Sequence, residues 1–336
     1  MTTLRPHPRY VEIAVNLGDP MFRGIYHGKE KHPDDIEHVL QRAEQAGVEA
    51  QVITAGSLAE VPDVLSLTER KPYLFATAGC HPTRSSEMEA YEGGAAAYVA
   101  QLHHYIQTQP KIVAVGELGL DYDRLHFSPA DAQQRCFDAQ LRMAVQVQRP
   151  LFLHSRAAHA DFVRILSPHL PALRRHTNSV DAESPGSVGV VHSFTGTAEE
   201  LHELLQLGLY IGINGCSMKT QENLDVIRQI PLHRLMLETV DAPWCDIRPT
   251  HASAAHWTAF EKAEPDLAKL YMPPRVKSEK WREDSAVKGR CEPCHIGQVA
   301  AVVAQLQGVP LHDVAQHACD NARRLFQLPV VEAAAA

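Results

Sequence analysis

Several things are scarce in this chain of 336 residues, and each scarcity removes a class of protein. Cysteine comes first: seven thiols, an odd number scattered without a dense framework, argue against a disulfide-stapled scaffold. Reduced thiols suit the cytoplasm or the nucleus, which is the location expected. No run of 18 or more apolar residues occurs, so nothing reads as a membrane span. The opening MTTLRPHPRY lacks the apolar stretch of a secretory signal. Basic residues are outnumbered, 32 to 40, and the net charge of −8 argues against a protein that coats nucleic acid through charge alone. That balance leaves open a site where a bound cation supplies positive charge locally. Internal repeats and low-complexity linkers are also missing. One domain over 1–336 is therefore expected, with a core of about 10–328 and a frayed small-residue tail at 329–336.

What is present is a rhythm. Hydrophobic residues make up 45% of the chain and charged ones 21%, ordinary values for a packed core. Short apolar runs, several rich in Val and Ile, stand at 10–17, 50–54, 73–79, 111–117, 150–154, 187–192, 209–215 and 234–238. They predict eight buried strands. Helix-like segments alternate with them: 38–47 ends at a glycine, 128–148 opens with Ser128-Pro129 as cap and first turn, and 199–207 stops before Gly208. Strand–helix alternation with fully apolar strands implies a parallel sheet, and eight such units predict a closed (β/α)8 barrel, an α/β fold. Two stretches break the rhythm. Residues 176–186 read as an exposed polar insertion, and 241–290 as a long irregular loop after the eighth strand.

The expected strands matter because of what ends them. Strand 3 runs into Cys80-His81-Pro82, strand 4 ends at Gly116-Glu117, strand 5 at His154 and strand 6 at His192. Strand 8 leads to Glu238 and Asp241. In a barrel the C-terminal strand ends form the active-site face. Imidazoles and carboxylates gathered there are the donor set for a divalent ion, and one shared carboxylate can bridge two ions for phosphoryl chemistry. Taken singly, a strand-end histidine is ordinarily a packing residue and Glu117 a rim carboxylate. Four in succession on strands 3 to 6 are harder to assign to packing.

AGCHP at 78–82, GELGLDYDR at 116–124, FLHSRAAH at 152–159, VHSFTG at 191–196 and YIGINGC at 210–216 together resemble the signatures of the TatD family of amidohydrolase-like barrels. NLGDPMFRGIY at 16–26 and DAPWC at 241–245 are similar to its eukaryotic members. The resemblance runs from about residue 11 to 327. It implies a metal-dependent deoxyribonuclease with 3′→5′ exonuclease activity, using one or two Mg, Mn or Zn ions to activate water. Carried over residue by residue, it implies Glu117, His154, His192 and Asp241 as metal ligands, with Glu117 and Asp241 catalytic. His81, Arg124 and Arg156 are implied as substrate contacts, with structural salt bridges the alternative for the two arginines. The partner implied is DNA with single-stranded ends. A monomer without membrane attachment is expected.

Two departures from the family pattern stand out. Where related barrels carry a His-x-His pair on strand 1, this chain has Val15-Asn16-Leu17. After strand 8 the pattern Glu-Thr-Asp-Ala-Pro is lengthened here to Glu238-Thr239-Val240-Asp241-Ala242-Pro243. One extra residue turns the next side chains to the opposite face unless a bulge at Val240 absorbs it, which is the expectation here; otherwise Glu238 takes the place of Asp241. The departures keep two other readings open: a metal-dependent amide or ester hydrolase, and a catalytically impaired barrel that only binds nucleic acid. Cys291-Glu292-Pro293-Cys294 reads as incidental rather than as a zinc or redox pair. Trp244, Trp257 and Trp281 are either base-stacking groups or loop anchors.

Overall fold

The computed structural model describes residues 7–174, 187–239 and 247–329. All eight expected strands form: β1 (Tyr10–Val15), β2 (Val48–Ile53), β3 (Leu74–Ala78), β4 (Ile112–Asp121), β5 (Leu151–Arg156), β6 (Gly189–Val191), β7 (Tyr210–Ile213) and β8 (Leu235–Leu237). They make one eight-stranded sheet in sequence order, and the ladders from β3 through β7 are parallel. The three expected helices appear at Ile36–Gln45, Ala130–Val147 and Ala198–Gln206. Residues 241–290 are less irregular than expected. Their described part carries helices Ala254–Ala263 and Pro265–Tyr271. The expected insertion at 176–186, the tail from 330, and Val240, Asp241 and Trp244 lie outside the described residues. No helix among the described residues is long and apolar enough to cross a membrane.

Two compact units are distinguished by their internal contacts. One comprises Val52–Gly212 with Arg323–Pro329, and the other Ile213–Ala322 with the chain up to Gln51. In the first unit, β4 departs most from expectation. It does not stop at Gly116-Glu117 but continues to Asp121. Its ladder to β5 jumps from Val115↔Leu151 to Leu118↔Leu153, so three steps on β4 match two on β5. Such a bulge re-aims the side chains around it, and Glu117 sits inside this one. Beyond the bulge the strand needs glycine: Gly119 has φ +145°, and a Cβ there would run into the backbone carbonyl of His154.

The helix Ala130–Val147 buries Ala132, Gln133, Cys136, Phe137, Gln140, Leu141 and Ala144, one stripe at helical spacing. Phe137 stacks on Phe162 at 5.3 Å between ring centroids. The two buried glutamines are spent on backbone. Gln133 accepts from Asp121 N (2.8 Å) and donates to Asp121 O and Ser128 O (both 2.9 Å). Gln140 accepts from Cys80 N (2.8 Å) and donates to Cys80 O (3.0 Å). Seven residues apart, they fix two site-bearing segments to one helix face. Ser128 does not cap this helix as its Ser-Pro sequence suggests. Its hydroxyl donates to Thr83 O and accepts from Ser86 N, both at 3.1 Å.

In the second unit, buried Arg290 forms a fork with Asp35 at 2.7 and 2.8 Å and meets Glu292 at 2.7 Å, while Arg42 grips Glu292 at 2.8 Å. Two cations thus balance two carboxylates out of water, as a buried charge requires. Trp281 donates its indole N–H to Asp35 and stacks on His32, and Trp257 is buried against Phe260, so both tryptophans anchor structure. Cys291 and Cys294 are buried and form no disulfide with each other, and burial pushes the Cys294 thiol upward, as suits an incidental pair.

Candidate metal centre

The bulged β4 delivers Glu117 into a ring of three histidines, each supplied by a different segment of the first unit. His81 follows β3 by three residues, His154 lies within β5, and His192 follows β6 by one. All three imidazoles converge on a single carboxylate oxygen. Glu117 Oε1 lies 2.6 Å from His192 Nε2, 2.8 Å from His154 Nδ1 and 3.3 Å from His81 Nε2. His154 Nδ1 and His192 Nε2 are themselves only 3.4 Å apart. Nitrogens this close, around one carboxylate, form the donor arrangement that suits a divalent cation. His81, Glu117 and His154 each offer a ligand atom within 4.8 Å of the others.

Each ring is held. His192 stacks on Phe152, with centroids 4.5 Å apart and planes at 26°. His154 is bracketed, because its Nε2 meets Asp121 Oδ2 at 3.2 Å on the side away from Glu117. Asp121 is 1% exposed, and its other oxygen accepts from Asp123 N at 3.1 Å, so the carboxylate is fixed in place. Asp121 lies within GELGLDYDR, yet sequence reasoning gives it no role. The signal was strand alternation, which puts residues 117, 119 and 121 on one face once the strand is known to continue.

His81 is oriented by its own turn. Its Nδ1 accepts from Thr83 N at 3.1 Å and lies 2.7 Å from Thr83 Oγ1. A neutral imidazole accepting at Nδ1 carries its proton on Nε2, the atom facing Glu117. His81 is therefore set as a donor toward the site, although its distances alone would admit it as a ligand.

Protonation follows from this packing. Burial resists ionisation of Glu117, but the electrostatic pull of His192 and His81 and the bonds from His154 and His192 hold its carboxyl well below the usual range. Burial likewise opposes the ionised Asp121 and is outweighed by His154 and Arg124, which lower it. For His154 burial favours the neutral ring, yet Asp121 and Glu117 prevail and raise it.

The two arginines differ. Arg156 donates Nη2 to Ser193 O at 3.2 Å, where Ser193 takes a left-handed φ of 49°, and its buried Nε has no hydrogen-bond partner among the described residues. Arg124 is about half exposed, with Nε 3.8 Å from Asp121 Oδ2. Among the described residues neither forms a salt bridge closer than the 3.8 Å of Arg124 to Asp121. In the second unit, Asn16 directly follows β1 in the place where a His-x-His pair would stand. There Glu12, fully buried, receives Thr239 N at 3.0 Å and Thr239 Oγ1 at 2.7 Å. Glu238, also buried, donates its backbone N–H to Ile213 O at 3.1 Å.

Comparison with known proteins agrees with the geometry. The family model of TatD related DNase matches residues 26–327. The chain belongs to the TatD family. A deoxyribonuclease Tat-D of Schizosaccharomyces pombe is 40% identical over 95% of this chain and 96% of its own length. A 3′-5′ ssDNA/RNA exonuclease TatD of Erwinia tasmaniensis is 36% identical, covering 94% and 99%. Among solved structures, a Saccharomyces cerevisiae protein described as an uncharacterized amidohydrolase superposes with a TM-score of 0.83 at 33% identity, over 95% of this chain and 99% of that one. The fold class is thus the amidohydrolase-like α/β barrel expected from the strand rhythm. Family membership places the chain among hydrolases of the nuclease type.

Proposed function

We propose that this TatD chain is a divalent-metal-dependent deoxyribonuclease that removes nucleotides from the 3′ ends of single-stranded DNA. The observation that carries the proposal is the convergence of three imidazole nitrogens on Glu117 Oε1. Glu117, His154 and His192 would hold the ion or ions, Mg, Mn or Zn. When bound, such a cation offsets phosphate charge and makes water a nucleophile near neutral pH.

The remaining work falls to the chain. Asp121 fixes the His154 ring by accepting from its far nitrogen, the carboxylate–histidine support typical of metal sites. His81 Nε2–H donates to a non-bridging phosphate oxygen. Arg156 adds a cation whose Nε is still unspent, and the exposed Arg124 meets the next phosphate. Asp241 accepts the proton of the attacking water as general base, an assignment that rests on the family pattern and on a bulge at Val240. The family match across 26–327 supports one domain. A monomer in the cytoplasm or nucleus completes the reading.

The test uses 5′-labelled single-stranded DNA with added Mn²⁺. A ladder shortening stepwise from the 3′ end is expected. Cleavage of an ester or amide substrate with none of DNA would transfer the site to the amide or ester hydrolases. Metal-loaded protein that binds DNA and cuts nothing would make it an impaired binding barrel, for which the missing His-x-His at Asn16 and the Val240 insertion are the sequence motives.

A further inference from the structure

Exposed large apolar side chains are few among the described residues, and the two most exposed, Leu125 (44%) and Phe127 (60%), share one short loop. That loop connects Asp121, at the end of β4, to the helix Ala130–Val147, and residues 123–127 are all exposed. A single exposed aromatic residue needs no explanation. A loop built rigidly at its base, with apolar groups held out at its tip, does need one.

The base is closed from several sides. Gln133 bridges Asp121 O and Ser128 O. Tyr122 is tied down through Asp161 (2.8 Å) and Gln134 (2.7 Å). Ser128 is tied to Thr83 and Ser86. These ties lead directly into the candidate metal centre: Asp121 contacts His154, and Thr83 contacts His81. At the tip, the His126 and Phe127 rings lie 4.2 Å apart with planes at 40°, and Arg124 adds a half-exposed cation.

We propose that Phe127, with His126 beside it, is a stacking platform for the terminal nucleobases of a single strand whose scissile phosphate lies at the Glu117 centre. The proposal rests on the nuclease reading and specifies how that site holds its substrate. An acidic chain cannot gather DNA by charge alone, and stacking on an aromatic face is indifferent to both net charge and base identity. Arg124, in the same loop, supplies the one cation a stacked nucleotide needs for its phosphate.

Binding is measured by fluorescence anisotropy in EDTA, so that cleavage plays no part. Two labelled oligodeoxynucleotides are compared, one intact and one with abasic residues at its three 3′-terminal positions. Phe127→Ala should weaken binding of the intact strand about 5- to 100-fold and that of the abasic strand less than about two-fold, while Phe127→Trp restores the intact strand. With Mn²⁺ present, Phe127→Ala should raise KM for the intact strand more than it lowers kcat. Equal losses on the two strands, no loss on either, or a wild-type chain that binds neither would overturn the platform. Wild-type protein that prefers the intact strand but never cuts it would remove the nuclease reading and leave the platform standing. Melting temperatures of the variants, expected to match the wild type, separate these outcomes from misfolding.

Discussion

Asp121 and His81 flank the ring of donors without holding the same kind of post. Asp121 sits behind His154, and removing its charge should loosen the imidazole rather than delete a ligand. Asp121→Asn is expected to weaken divalent-metal affinity about 10- to 100-fold, measured by calorimetric titration of metal-free protein. An unchanged affinity would reduce Asp121 to a packing residue. His81 is oriented as a donor by Thr83. His81→Ala should therefore lower kcat/KM on DNA about 100-fold, as for loss of one charge-stabilising donor, while the protein keeps its metal. His192→Ala should lose both. Metal analysis of the two purified variants distinguishes the roles, and loss of metal from His81→Ala would make that residue a ligand instead. The histidines and Glu117 were legible in the sequence because each closes or follows a short apolar run. Asp121 was not, since a strand thought to stop at Glu117 leaves no reason to look four residues on.

At the scale of elements, the helix Ala130–Val147 acts as a jig. Its apolar spacing announced it, but the use of its buried glutamines could not be read, because a Gln on an apolar stripe looks like an exception until its backbone partners are known. Gln140→Leu keeps the volume and leaves the N–H and C=O of Cys80 buried without partners. The expected cost is about 1–3 kcal/mol, read from chemical denaturation, with a fall in activity because His81 is the next residue. Full stability with lost activity would show that Gln140 positions the site without supporting the fold; no change in either would contradict the assignment. The bulge in β4 was likewise hidden. Gly116 and Gly119 take φ +148° and +145° around it, and the register against β5 shows the extra residue that turns Glu117 toward the histidines.

Across the whole molecule, the strand rhythm and the ordered family signatures made the fold class legible before any contact was known. Pairings between sequence-distant residues were not legible, and Glu12 with Thr239 is the clearest case. Burial raises the Glu12 carboxyl to about 8, against the hydrogen bonds from Thr239 and Ala14 that favour its ionised form. The folded chain thus keeps a proton that the unfolded chain releases above its ordinary value of about 4.5. The stability this proton confers is complete below about 4.5 and is lost as pH rises toward about 8. Glu12→Gln should accordingly flatten the fall in melting temperature between pH 5 and pH 8, a window set by about 4.5 and about 8. Parallel curves for the two proteins would show that Glu12 is ionised in the fold.

The claim on which the rest depends is that Glu117 and its histidines form a metal-dependent hydrolytic centre for DNA. The most direct measurement is cleavage of a labelled single-stranded oligonucleotide by wild type and Glu117→Ala, each with Mg²⁺, Mn²⁺ or Zn²⁺ and with EDTA. Cleavage by the wild type is expected with at least one ion, with none in EDTA and none by Glu117→Ala under any condition. Cleavage that persists in EDTA, or in a folded Glu117→Ala protein, would contradict it.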